Sequence, residues 1–260
     1  MGEIDMHDIE MHEASPEFAE CWRAAMKHIS QQAEGKSDIW LRAHLHPPFL
    51  EHFSFRLGNQ LFFVRIEDDD QLLVMPGNSQ GAKIIAEGCN GIACVMPMKK
   101  VGSRWCPLAP AWGLLDESKT RIIDPPALVS DAEVEMNDWE LQNFAVQIVR
   151  SQLQKEGFEI VTWVDHPEII PSLWFLGKSG REWVVICAGR YPQRSVPPPV
   201  NFLSTRRYLE SQGFQGYFAS VSFADGRQAY TAGAHPTPLL RGYGMHVLYE
   251  GLVPAHKFNV

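Results

Sequence analysis

The stretch that decides how this chain reads is Pro171-Ser172-Leu173-Trp174-Phe175-Leu176, then Gly177-Lys178-Ser179-Gly180, then Arg181-Glu182-Trp183-Val184-Val185-Ile186. The outer runs are rich in aromatic and branched side chains, and the middle four residues are turn formers. Together they predict two strands joined by a tight turn. Trp163, Trp174 and Trp183 recur with the alternation of a packed sheet, so they read as core. Gly177-Lys178-Ser179-Gly180 contains Gly-Lys-Ser but lacks the upstream glycine of a phosphate loop. It also joins strand to strand rather than strand to helix, which excludes a nucleotide cradle.

Working outward, Asn137 or Asp138 caps a long helix carrying Trp139, Phe144, Ile148, Val149 and Leu153, which Gly157 closes. A strand is expected at Phe158–Val164, before the hairpin. After it, the rigid connector Val196-Pro197-Pro198-Pro199-Val200 leads to a helix over Phe202–Ser211, closed by Gly213. Two more strands read at Tyr217–Phe223 and Met245–Tyr249. The predicted order is α-β-β-β-α-β.

The other half differs. Residues 1–14 read as an acidic, frayed terminus. Ser15-Pro16-Glu17 opens a helix, with Ser as N-cap, Pro in the first turn and an acid beside it. Phe18, Trp22, Ala25, Met26 and Ile29 fall on one helical face, and Gly35 ends the pattern. Phe53–Leu57 and Leu61–Ile66 flank Gly58-Asn59, a hairpin turn. Gln71–Met75 reads as a third strand after Asp68-Asp69-Asp70, Asn78-Ser79 as a cap for a helix over Ala82–Glu87, and Cys89–Met98 as another buried strand. Residues 100–130 are loop-rich, with Pro107, Pro110, Pro125 and Pro126 breaking regular structure. Pro125-Pro126 and the acidic Asp131–Glu135 mark a linker. The expectation is therefore a mixed α+β and α/β chain. A small α+β domain over 15–130, a helix on an antiparallel meander, precedes a three-layer α/β domain over 131–260.

The predicted order and the hairpin resemble the core of the PD-(D/E)xK nuclease superfamily, which implies a restriction-endonuclease-like fold over roughly residues 136–250. That resemblance makes Glu140 the acid of the first helix. It aligns Pro171-Ser172 with the Pro-Asp step, its acid lost, and Glu182-Trp183-Val184 with Glu-x-Lys, its base lost. More loosely, the whole chain resembles an uncharacterised bacterial family with a similar Trp-Phe, turn, Glu-Trp-Val-Val hairpin. The losses matter chemically. Phosphodiester hydrolysis needs a divalent ion on hard oxygen ligands, commonly two carboxylates. Ser172 is a weak neutral ligand, and Val184 neither positions water nor stabilises charge. Asp165 or Glu168 are the candidates for a migrated acid, and Lys178 or Arg190 for a migrated base.

Composition sets further bounds. The 260 residues carry 23 basic and 31 acidic side chains, a formal charge of −8, which disfavours bulk binding to polyanions. Within 181–241 the sign reverses. Seven arginines, including Arg181, Arg190, Arg206, Arg207 and Arg241, stand against three acids, so these residues are the candidates for a phosphate-binding face. No run is long and apolar enough to span a membrane. Five cysteines, an odd number, and an acidic start without signal-peptide features predict a reducing, cytoplasmic setting.

Other constellations carry less. His44-x-His46 with His52, Cys89, Cys94 and Cys106 has the ligand types for zinc but not the spacing. Cys187 follows an apolar run and reads as buried, not as a nucleophile. Asp68-Asp69-Asp70 lacks the spaced oxygens of a calcium loop. Arg241-Gly242-Tyr243-Gly244-Met245 reads as an unusual strand entry.

The reading that follows is a cytoplasmic binding protein without cofactor or metal, acting on another protein through a degenerate nuclease-like scaffold. One alternative is a nuclease using Glu140, Asp165 and Glu182 with Mg²⁺ or Mn²⁺. The other is a phosphate or nucleic-acid module using the arginines.

Overall fold

The computed structural model describes residues 14–35, 39–45, 52–76, 79–227 and 237–258. His46, Asn78 and the frayed-terminus expectation for residues 1–13 fall outside them. The chain is mixed α and β, with two sheets and five α-helices among the described residues. It divides into two compact units that meet between Glu133 and Val134 in sequence.

The first unit opens with α1 (Pro16–Gln32). The Ser15 hydroxyl accepts the Phe18 amide at 3.1 Å, satisfying one of the helix's unpaired donors. Phe18, Cys21, Trp22, Ala25 and Ile29 form its buried stripe. Then come β1 (Trp40–Arg42), β2 (Phe53–Leu57), β3 (Gln60–Asp68), α2 (Ser79–Gly88), β4 (Ile92–Val101), β5 (Arg104–Pro107), β6 (Leu114–Leu115), β7 (Ile122–Ile123) and α3 (Pro125–Leu128). The sheet runs β1-β2-β3-β4-β6-β7, with β5 also paired to β4. The Gly58-Asn59 hairpin forms as expected, Gly58 taking a φ of +55°.

The antiparallel meander does not form, because β3 and β4 run parallel. An α2 crossover between them returns the chain in the same direction, which no short turn can do. Nor is Gln71–Met75 a strand. The Asp68 carboxylate accepts the amides of Asp70, Leu72 and Leu73 at 2.8–3.1 Å, so these donors close a turn instead of pairing with a ladder. Pro125 and Pro126 open α3 rather than break structure, since proline suits a first helical turn.

The second unit contains α4 (Asp138–Lys155), β8 (Glu159–Trp163), β9 (Leu173–Gly177), β10 (Gly180–Arg190), α5 (Phe202–Ser211), β11 (Gln215–Asp225), β12 (Met245–Tyr249) and β13 (Val253–Pro254). Strand order is β12-β11-β10-β9-β8, with β13 also on β11. β9 is antiparallel to both of its neighbours, β8 and β10, β11 is parallel to β10 through the α5 crossover, and β12 is antiparallel to β11. Alternation along β10 feeds two cores. Val184 and Ile186 pack with Leu141, Val149 and Leu153 of α4, while Trp183 and Val185 pack with Phe202 and Leu209 of α5. The helices therefore cover opposite faces of one sheet. No described helix is long and apolar enough to cross a membrane.

Candidate functional site

α4 starts on a reciprocal cap. The Asn137 side chain accepts the Glu140 amide at 2.9 Å, and Glu140 Oε2 accepts the Asn137 amide at 3.1 Å. Arg241 closes over the same carboxylate. Its Nε lies 3.0 Å from both Glu140 oxygens and its Nη2 2.8 Å from Oε2. Both side chains are essentially inaccessible. The strand-like pairing of Glu135 with Leu240, and the Arg241 amide donating to Val134, deliver the arginine there. Glu140 thus has its lone pairs taken by four donor contacts, and Arg241 is buried rather than presented to a ligand.

The other candidate arginines divide. Arg190 ion-pairs with Asp138 and donates to the Met136 carbonyl at 2.7 Å, tying the end of β10 to the start of α4. Arg206 is held by Glu210 at 2.9 Å and by the Phe258 carbonyl at 3.0 Å. Arg181 and Arg207 are exposed. The five arginines do not form one phosphate-binding face.

Asp165 follows β8 and is buried. It accepts from Asn143 Nδ2 at 2.6 Å, and Asn143 in turn accepts from Gln147 at 2.5 Å. Asn143, Gln147 and Arg150 lie one helical turn apart on α4, and the Arg150 guanidinium stacks 4.6 Å from the Trp163 ring. This is a polar seam between α4 and β8.

Ser172 is not an ordinary turn residue. It is buried, and its hydroxyl accepts the Ile186 amide at 3.1 Å where the β9 ladder ends. Its own amide donates to the Val184 carbonyl at 2.9 Å. The β10 residues nearest Ser172 are therefore Val184 and Ile186, both in the α4 core. Glu182 lies further down the hairpin, paired with Phe175. α4 runs antiparallel to β10. Its Gln142 bonds Ile186 and Ala188 near one end, while Gln152, Leu153 and Glu156 line the same cavity as Glu182 near the other. Glu182 is eight residues from Arg190, about 26 Å of extended strand, so it and Glu140 belong to opposite ends of the sheet.

Glu182 is also not solvent-facing. It is 4 % exposed and accepts the Ser179 amide and the Tyr217 hydroxyl, each at 3.1 Å. Its carboxylate covers Gly177, where an added Cβ would fall 2.1 Å from it. It lines a cavity of about 530 Å³ together with Gln152, Glu156, Phe158, Phe175, Tyr217 and Tyr249. Phe158 meets Phe175 edge-on at 5.3 Å, and Phe175 lies 6.0 Å from Tyr217, giving a continuous aromatic wall. Burial, with the Glu156 charge adding, pushes the Tyr249 phenol up to about 12. Burial and the neighbouring Glu182 raise that of Tyr217 as well. Both phenols stay neutral donors in ordinary conditions. Sequence reasoning reached Glu182 but not Tyr217, Tyr249 or Glu156. Their convergence depends on the parallel β10–β11 register and the direction of α4, which no local spacing records.

Nor do the described members of the zinc set gather. His52 is fully buried and has no hydrogen-bond partner among the described residues, Cys94 is buried, and Cys106 is exposed. Burial pushes the Cys187 thiol up to about 11, which suits an inert side chain. Among the described residues, no group of three or more His, Cys, Asp or Glu is placed to hold a metal ion. Residues 139–255 match the family described as a domain of unknown function, DUF8840, a stretch that runs from α4 through β13. No curated protein and no solved structure matches the chain.

Proposed function

We propose that the second unit is a non-catalytic binding module on a nuclease-like α-β-β-β-α-β scaffold, and that the protein acts by engaging another protein. One observation carries the reading. Of the three acids a nuclease would use, Glu182 stands apart from the other two, and each is engaged by other groups. Glu140 is saturated by Asn137 and Arg241, Asp165 holds Asn143, and Glu182 lies at the other end of β10. A hydrolytic Mg²⁺ or Mn²⁺ needs at least two convergent oxygen ligands, and Val184 and Ile186 stand where a partner to position 172 would be. These residues do not fit such an ion. The acidic surface suits a basic partner, and the pairing of Arg190, Arg206 and Arg241 weakens the case for a polyanion.

The test is cleavage of plasmid DNA and structured RNA with Mg²⁺ or Mn²⁺, beside a Glu182→Ala control, with a thermal melt under each ion. The expected outcome is no cleavage and no ion-dependent rise in melting temperature. Cleavage by the wild type that the variant lacks overturns the reading.

A further inference from the structure

We infer that the cavity between the tail of α4 and the start of β10 receives an organic cation, a guanidinium group on an apolar stem. This deepens the binding-module reading of the same unit and rests on it. The cavity is of ligand size, about 530 Å³. Two carboxylates, Glu156 and Glu182, line it, and among the described residues no Lys, Arg or His does. Glu182 is buried with no cationic partner among the described residues. A buried carboxylate without a counter-charge is costly, and two neutral donors offset only part of that.

Those donors are also placed to leave room. Ser179 N–H bonds Oε1 and the Tyr217 hydroxyl bonds Oε2, so each oxygen keeps acceptor capacity. A forked guanidinium uses two neighbouring oxygens at once, which a point-charge ammonium does not. Phe158, Phe175, Tyr217 and Tyr249 supply aromatic surface for its face and stem. Because the two phenols keep their protons well into the alkaline range, the wall adds no competing negative charge. Glu182 also ties down the Ser179 turn, and that structural role alone would leave the cavity without preference for charge. The experiment separates the two.

Calorimetric titration of the 260-residue protein compares N-acetyl-arginine methylamide with its neutral citrulline counterpart. Free agmatine and an arginine-containing peptide serve as further probes. The arginine compound is expected to bind at least tenfold more tightly than the citrulline compound, and more weakly as salt rises. Glu182→Gln keeps a carbonyl oxygen for the Ser179 amide and turns its NH2 to the Tyr217 hydroxyl, which then accepts instead of donating, so both contacts survive while the charge goes. It should weaken arginine binding at least tenfold, and Tyr249→Leu should weaken it severalfold. Tighter binding of the peptide than of agmatine assigns the cation to a protein partner. Equal binding assigns it to a free small molecule. No binding at millimolar probe, equal affinity for citrulline, or indifference to both variants overturns the site. Cleavage in the nuclease assay alongside intact arginine binding would sink the non-catalytic reading and leave the site standing.

Discussion

The buried Arg241–Glu140 pair and the buried His52 are handled in opposite ways. Arg241 and Glu140 are held inside the protein by each other and by the α4 cap. Truncating one partner of such a pair strands the other, whereas replacing both with apolar groups is often tolerated. His52 has no such partner among the described residues. It packs 5.4 Å from the Phe63 ring, and burial, with the Arg42 charge adding, holds its imidazole well below the ordinary 6.5. It must therefore be neutral to stay folded. The unfolded chain binds a proton at this residue below about pH 6.5 that the folded chain refuses, so stability is full above that pH and lost as pH falls. Urea midpoints measured between neutral pH and about pH 5 should show on the order of 1 kcal/mol lost per pH unit. His52→Leu should flatten that slope, and an unchanged slope would remove His52 as its cause.

At the scale of elements, one hairpin organises the second unit. Glu182 closes its turn, Ser172 ends its ladder, and Trp183 anchors its far face. The neighbouring strand must leave room for that indole. Gly216 sits opposite Trp183 in the β10–β11 register, and a Cβ there would fall 2.0 Å from the ring. Trp183 is fully buried, so it has nowhere to move. Gly216→Ala should cost about 1–3 kcal/mol by overpacking, read as a lower urea midpoint with unchanged denaturant sensitivity. A neutral result would mean that β11 shifts freely, contrary to its eleven-residue pairing region.

At the scale of the molecule, each unit has its own sheet and its own apolar core. The second has cores on both faces of its sheet and its own helix caps and buried ion pair. Residues 134–260 expressed alone should keep a cooperative thermal transition and a dispersed amide spectrum. A fragment that shows neither would mean that the core over 134–260 does not suffice for folding. The division also bears on function, because the matched family stretch, the cavity beside Glu182 and the acids Glu140, Asp165 and Glu182 all belong to this unit.

Local chemistry in the sequence determined the helices capped by Ser15 and Asn137, the hairpins at Gly58-Asn59 and Gly177–Gly180, and the α-β-β-β-α-β order, since caps, turns and alternation act over a few residues. That this hairpin carries Ser172 and Val184, neither of them an acid or a base, was equally plain there. Tertiary structure alone decided the rest. Parallel pairing of β3 with β4 replaced a meander, because strand direction depends on what lies between. Arg241, a hundred residues away, claimed Glu140, because a buried charge takes whichever partner the fold delivers. Tyr217, Tyr249 and Glu156 came to surround Glu182 through the register of β11 on β10 and the antiparallel course of α4, both set by packing rather than by any neighbour in the chain.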